Sequence, residues 1–211
     1  MKTTNRIHAA LAITVAALSL QACVPALVVG GATTGVLVAA DRRQPDVMGG
    51  DERIEITAGS RIGDKYKDAH VNVTSYNKTA LLTGEVPTAA AKADVEKIVL
   101  AVPEVKGVVN ELVVSAPSSF SARGNDSYIT GKVKAAFVNN GKFQPNHVKV
   151  VTEAGVVYLL GLVTRAEAES ATEVARGVGG VLKVVRVFEY IADAAAAPVP
   201  SRRATDGADK K

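Results

Sequence analysis

The chain has 211 residues, 47% hydrophobic, 22% charged and 4% aromatic, with one cysteine, three histidines and no tryptophan. That length holds one ordinary domain or two small ones, and one cysteine excludes an intramolecular disulfide framework or a multi-cysteine metal site. Of the net charge of +4, Lys2 and Arg6 fall in a segment that reads as a leader, so only +2 remains elsewhere and no nucleic-acid partner is expected.

Residues 1–22 carry Lys2, Arg6 and His8, then an uncharged run from Ala9 to Leu20, then Leu20-Gln-Ala-Cys23. A basic start, a short apolar stretch and a small residue before the cut describe a secretory signal peptide. The sole cysteine, directly after Ala22, resembles a bacterial lipobox; an ordinary leader with an incidental cysteine is the alternative. The lipobox resemblance implies that the Cys23 sulfur takes a diacylglyceryl group and becomes the acylated N-terminus. Each buried methylene then adds about 0.8 kcal/mol to anchoring. Val24 rather than Asp follows, which by the same resemblance directs the protein to the outer membrane, facing the periplasm. Residues 23–45 are expected to be an apolar, Gly-rich tether. Val24–Ala40 is uncharged but interrupted by Pro25, Gly30, Gly31 and Gly35, which weaken a helix; one long uncleaved span through residues 9–40 is the rival.

An internal repeat follows. His70-Val-Asn-Val73 returns as His147-Val-Lys-Val150, and Leu82-Thr-Gly-Glu-Val86 as Leu159-Leu-Gly-Leu-Val163, both 77 residues later. Val102, Val105, Val108 and Val109 meet Val178, Val181, Val184 and Val185 after one deletion. Each copy reads helix, strand, strand, helix, strand. Asn77-Lys78 and Ala154-Gly155 sit where hairpin turns belong, between short alternating strands and strands over Thr79–Val86 and Val156–Val163. Pro87-Thr88 opens the next helix of the first copy, and Thr164-Arg-Ala-Glu167 is a capping box in the second. Val95, Ile98, Val99 and Val102, and likewise Ala171, Val174, Ala175 and Val178, recur at helical spacing. Last strands are predicted over Gly107–Val114 and Leu182–Ile191. The fold class is α+β: two tandem α-β-β-α-β modules, each a three-stranded mixed sheet with two helices on one face, at residues 46–115 and 125–192. The linker 116–124, within the polar stretch Ser115–Gly124, is expected to be mobile and the modules separable. The tail 193–211 is expected to be disordered.

The paired units, their element order and the glycines Gly84 and Gly161 resemble BON domains, the bacterial OsmY and nodulation modules. A lipobox followed by two such units is similar to the dual-BON outer-membrane lipoproteins tied to envelope integrity and cell division. Asn125-Asp-Ser-Tyr-Ile-Thr130, the segment from His147 to Gly155 and the segment from Leu160 to Ala168 are similar to that group's second domain. The resemblance implies non-catalytic modules that bind membranes or envelope components.

The residues agree in offering little chemistry. There is no nucleophile elbow, and His70 and His147 read as polar residues preceding strands. Gly177-Val-Gly-Gly180 follows a helix and is expected to end it with a left-handed glycine. Gly84 and Gly161, inside strands, point to a bulge or close backbone approach rather than a ligand site. No enzyme activity, cofactor or metal is expected.

The first helices of the two copies differ. In the first, Ile54, Ala58, Ile62 and Tyr66 form one stripe, with Thr57, Ser60 and Asp64 opposite. In the second, Ile129, Val133 and Ala136 face the core with Phe137 at the edge, while the far side holds Tyr128, Gly131, Ala135 and Val138. Lys132 and Lys134 flank that apolar ridge and Lys142 follows it. Such a ridge suits a helix lying among lipid headgroups, and the resemblance implies that related lipoproteins bind anionic phospholipid through this helix. The expected function is therefore anionic-phospholipid binding through the second module in support of envelope integrity. The alternative is a periplasmic adaptor for outer-membrane assembly machinery or peptidoglycan enzymes, with the ridge docked on the first module.

Overall fold

The computed structural model describes residues 41–193; the leader, Cys23, most of the expected tether and nearly all of the expected tail lie outside the described residues. Pro45 opens α1 (Pro45–Lys65), where its fixed φ suits the first helical turn. Ile54, Ala58 and Ile62, four residues apart, are buried as one stripe. The chain then forms an antiparallel hairpin of β1 (His70–Tyr76) and β2 (Thr79–Val86). Its turn puts both Asn77 (φ 53°) and Lys78 (φ 68°) in the left-handed region, as a two-residue hairpin turn of matching twist requires. Asp51 of α1 holds it, accepting from the amides of Asn77 (2.9 Å) and Lys78 (2.7 Å) and from the Ser75 hydroxyl (2.7 Å).

Thr88 caps α2 (Ala89–Leu100) by accepting from the Ala91 amide at 3.0 Å. The chain returns parallel to β2 as β3 (Gly107–Asn110) and β4 (Val113–Val114). The single strand expected over 107–114 is thus broken at Glu111–Leu112. Leu112 turns into the core, and the Asn110 side-chain Oδ1 accepts from the Leu112 amide at 3.2 Å.

The second repeat is built alike. Helix α3 (Phe120–Asn140) leads, through a short 3-10 turn, to β5 (Lys149–Glu153) and β6 (Val156–Val163). Then α4 (Arg165–Arg176) crosses back to β7 (Lys183–Tyr190), parallel to β6. The Ala154-Gly155 turn is left-handed at both positions, and Asp126 of α3 takes both amides at 2.9 Å. Asp51 and Asp126 are therefore equivalent clamps between first helix and hairpin. The Thr164–Glu167 capping box forms, with bonds of 2.9 and 3.2 Å. Gly177 ends α4 in the right-handed region, and the left-handed glycine is Gly180, which corrects the expected cap.

Helix α3 begins within the stretch expected to be mobile. Ser119 accepts from the Ala122 amide at 3.2 Å, and Phe-Ser-Ala-Arg contains no breaker. The connection is tied as well: Ser115 donates to the Val86 carbonyl and the Ser118 amide to Glu85, both at 3.1 Å.

A glycine is required inside β2 and β6. A Cβ on Gly84 would stand 2.1 Å from the His70 carbonyl oxygen, and one on Gly161 2.4 Å from that of His147. Close backbone approach, as expected from sequence, is the reason.

Each repeat has its own core between helices and sheet, but a third apolar cluster joins them. Tyr76 and Leu81 of the first sheet pack with Tyr158 and Leu160 of the second, ringed by Val109, Val151, Val156, Leu162, Val185 and Val187. The strand faces turned away from the helices thus meet sheet to sheet. This runs against the expectation of separable modules: β6 is apolar on both faces and β2 adds Leu81 to the joint, and that surface cannot be left to water without cost. At about 25 cal/mol per Å2 of apolar surface, a buried leucine contributes about 1.5–3 kcal/mol. Polar contacts rim the joint. Lys149 donates to Glu55 at 2.7 Å and to the Ser75 carbonyl at 3.2 Å. Asn77 donates to Glu189 at 2.6 Å and Asn72 to Glu153 at 2.9 Å.

The segment before α1 takes part. Arg42 grips Glu167 with both guanidinium nitrogens (2.7 and 2.8 Å) and donates to the Leu162 carbonyl. Arg43 donates to Asp41 and Asp51 and lies 4.1 Å from the Tyr76 ring centre. Adjacent arginines thus hold opposite repeats.

Candidate functional site

Helix α3 places Ile129, Val133 and Phe137 in the second core. Phe137 meets Phe143 edge to face at 5.0 Å. Phe137 is fully buried and Ala136 only half-buried, the reverse of the order expected, because the four-residue spacing from Ile129 sets the stripe. The opposite side is open: Tyr128 is 67% and Val138 61% exposed, and Gly131 and Ala135 are exposed between them. The ridge singled out from sequence is therefore not docked on the first repeat, whose contact with the second runs through the sheets.

The early start of α3 lengthens this ridge. Phe120, 87% exposed, lies at the same helical angle as Val138, 18 residues on. At 1.5 Å per residue Phe120 and Val138 stand about 27 Å apart along the axis, with Tyr128 about 80° round from both on the same exposed side. Sequence reading missed Phe120 by assigning it to the linker; the Ser119 cap was the available signal.

The lysines differ in freedom. Lys132 donates to the Gly179 carbonyl and sits 5.5 Å from the Tyr128 ring centre, so its ammonium is held beside the ridge. Lys134 and Lys142 are exposed, on the other flank and beyond the left-handed cap at Gly141. Near Lys134, a groove of about 400 Å3 is lined by Val138, Pro145, Lys149, Arg43 and Tyr76. On α1 the corresponding face carries Glu52, Arg53, Thr57, Ser60 and Asp64 around one exposed apolar residue, Ile56 at 65%.

The histidines of the repeat have diverged. His147 is buried, its Nδ1 3.6 Å from Glu167. Burial works to raise the Glu167 carboxyl, but the Arg42 hydrogen bonds, the Thr164 amide and the Arg42 charge outweigh it and leave it below its ordinary value. His70 lies at the joint, its Nε2 3.5 Å from Glu153. Burial, helped by the charges of Glu111 and Glu153, pushes the Tyr158 hydroxyl there up to about 12. Among the described residues one group could hold a metal ion, His70 with Glu85 and Glu153.

Two stretches of the chain, residues 51–116 and 125–192, match the family model for the BON domain. The chain belongs to the BON domain family. Its BON modules correspond to the two repeats, each a helix-capped mixed sheet. Over 179 residues it is 36% identical to the outer membrane lipoprotein DolP of Haemophilus influenzae, covering 83% of this chain and 92% of that protein. It is 34% identical to a 21 kDa hemolysin of Actinobacillus pleuropneumoniae, over 59% of this chain and 64% of that protein. The osmotically-inducible protein Y of Escherichia coli is 31% identical over 57% of this chain and 62% of its own length.

Proposed function

We propose that this BON protein is a non-catalytic envelope lipoprotein, anchored in the outer membrane through Cys23 and facing the periplasm. Its second module lays α3 on anionic phospholipid, in support of envelope integrity. The observation that carries this reading is the exposed ridge of Phe120, Tyr128, Gly131, Ala135 and Val138, with Lys132, Lys134 and Lys142 beside it. Apolar side chains in the acyl boundary and lysines at headgroup level act together, each lysine near an anionic surface adding about 1 kcal/mol. No helix among the described residues is long and apolar enough to cross a membrane. Similarity to an outer membrane lipoprotein over most of both chains supports the address. Burial of the ridge between modules would have favoured the adaptor for assembly machinery or peptidoglycan enzymes; its exposure favours lipid.

The test is flotation of a chain beginning at Asp41, which keeps both cores and the joint, with neutral and anionic vesicles. Binding to anionic vesicles is expected, and Tyr128→Asp with Val138→Asp should abolish it with unchanged circular dichroism. Two carboxylates there meet anionic headgroups and a low-dielectric layer. Lys132→Ala with Lys134→Ala should weaken it mainly at low salt. Unaltered flotation of the folded double-Asp variant would overturn the lipid reading.

A further inference from the structure

At the edge of the joint, three ligand-type side chains converge from strands of both modules. His70 and Glu85 are cross-strand partners on β1 and β2, and Glu153 ends β5. One donor atom from each lies within 4.8 Å of the other two. Both carboxyl groups are buried, each residue only 7% exposed. Two buried carboxylates this close repel one another and lose hydration unless a positive charge joins them. No Lys or Arg ion pair to either carboxylate is found among the described residues, and Arg123 faces His70 Nδ1 at 3.2 Å.

The surroundings are also rich in idle oxygen. The Thr83 hydroxyl is buried with no hydrogen-bond partner among the described residues. It lies two residues from Glu85 on the same strand face and opposite Asn72 in the ladder. The Ser118 hydroxyl is likewise without a partner, in the residue whose amide donates to Glu85. Beside the group, a cavity of about 380 Å3 lined by His70, Asn72, Asp126, Thr130 and Glu153 has room for metal-bound water.

We propose that His70, Glu85 and Glu153 form a divalent transition-metal site that staples the two BON modules together. One imidazole with two carboxylates suits Zn2+ and its neighbours, whereas Mg2+ and Ca2+ favour all-oxygen sets. Zinc bonds of about 2.0–2.2 Å bring ligand atoms to about 3.4 Å from one another in a tetrahedron. His70 and Glu153 are already at 3.5 Å, and a Glu85 oxygen lies within 4.8 Å of both, so small side-chain shifts bring the set to bonding geometry. The metal takes the Nε2 lone pair in place of the Asn72 amide nitrogen, which stands 3.2 Å from it and also donates to Glu153, and the ring proton then sits on Nδ1, opposite a guanidinium that can only donate. Metal binding would therefore turn the exposed Arg123 away from His70 and into water. Because module 1 supplies two ligands and module 2 the third, metal occupancy fixes the joint without touching the α3 ridge.

The test is Zn2+ titration of the full-length chain in detergent, by calorimetry and by thermal melting against an EDTA-treated control. One saturable site is expected, with Zn2+ raising the melting temperature by several degrees. Glu153→Gln, which keeps an oxygen for Asn72, should weaken binding at least tenfold and remove the thermal gain while melting like wild type in EDTA. Glu85→Gln should do the same. Arg123→Ala should bind Zn2+ as tightly as wild type or tighter. The 15N shift of His70 Nε2 on metal addition reads the ligand directly in the unsubstituted protein, independently of whether a variant folds. Absence of a saturable site, binding indifferent to Glu153→Gln and Glu85→Gln, or an unmoved His70 Nε2 signal would each overturn the proposal.

Discussion

On the outer face of α1, module 1 shows Glu52, Arg53, Ser60 and Asp64 around a lone Ile56; in the same place on α3, module 2 shows Phe120, Tyr128, Ala135 and Val138. The inner faces of these helices barely differ: Ile54, Ala58 and Ile62 in one, Ile129, Val133 and Phe137 in the other. The hairpin clamps Asp51 and Asp126 are the same device twice. The difference shows which parts of a BON module the fold holds fixed. Core stripe, clamp, turn and strand glycine are constrained by packing and by backbone hydrogen bonds. The outward face of the first helix is constrained by neither, so one copy can carry a membrane-type surface while the other stays polar. The sheet edge diverges too: β3–β4 is broken at Leu112, while β7 runs through Tyr190 without interruption.

The largest effect tests whether the modules are independent at all. Leu160→Asp puts a carboxylate into the joint beside Tyr76, Leu81 and Tyr158 and should cost at least about 3 kcal/mol. Hydrogen exchange should show faster opening in β1 and β2 of module 1, although the substitution is in module 2. A response confined to β5, β6 and β7 would mean that the joint does not couple the modules.

Next come the paired glycines. Gly84→Ala and Gly161→Ala both drive a Cβ against a histidine carbonyl, but only Gly84 also has a left-handed φ, 107°. Urea unfolding should show both variants destabilised, with Gly84→Ala the worse by about 1–3 kcal/mol, the scale of local backbone strain. Equal losses would remove that distinction between the modules.

A smaller effect sets the modules apart by pH. Glu167 has no acidic counterpart in module 1, where Ala90 stands 77 residues earlier. Its carboxyl is held below the ordinary 4.5 in the fold. The stabilisation it gives is therefore complete above about 4.5 and is lost as pH falls through the depressed value. Arg42→Ala should cost about 1.5–3 kcal/mol at neutral pH, the scale of hydrogen bonds to a charged group. The cost should shrink as pH falls below 4.5 through the depressed value, leaving the part due to the Leu162 carbonyl, and melting curves across the acid range check it. A constant loss at all pH values would count against the ion pair.

Much of the frame was legible because strand and helix periods are local. The 77-residue offset, the Asn77-Lys78 and Ala154-Gly155 turns and the Thr164–Glu167 box all appear where the residues suggest. The joint was not legible. Val-Val-Tyr-Leu-Leu-Gly-Leu-Val in β6 is a continuous apolar run, the pattern of a strand covered on both faces, but the run does not say that the other module is what covers the second face. Asp51 and Asp126 went unnoticed because an acidic residue on a helix gives no sign of the hairpin amides folded against it. Phe120 was hidden by polar neighbours, and the His70, Glu85 and Glu153 group exists only once strands from both modules meet. The ridge residues Tyr128, Gly131, Ala135 and Val138 could be placed on one exposed side because a helical wheel needs no tertiary information.

The central claim, that α3 and not α1 meets the lipid surface, is tested most directly by an environment-sensitive fluorophore at one outward-facing site on each helix. A chain beginning at Asp41 contains no cysteine, so Val138→Cys and Ser60→Cys each give one labelling position, on the outer faces of α3 and α1. With anionic vesicles, the label at 138 should shift to the blue and become shielded from an aqueous quencher, while the label at 60 stays as it is in buffer. Equal shifts at both positions, or none at 138 under conditions where the protein floats with the vesicles, would contradict a membrane contact made through the α3 ridge.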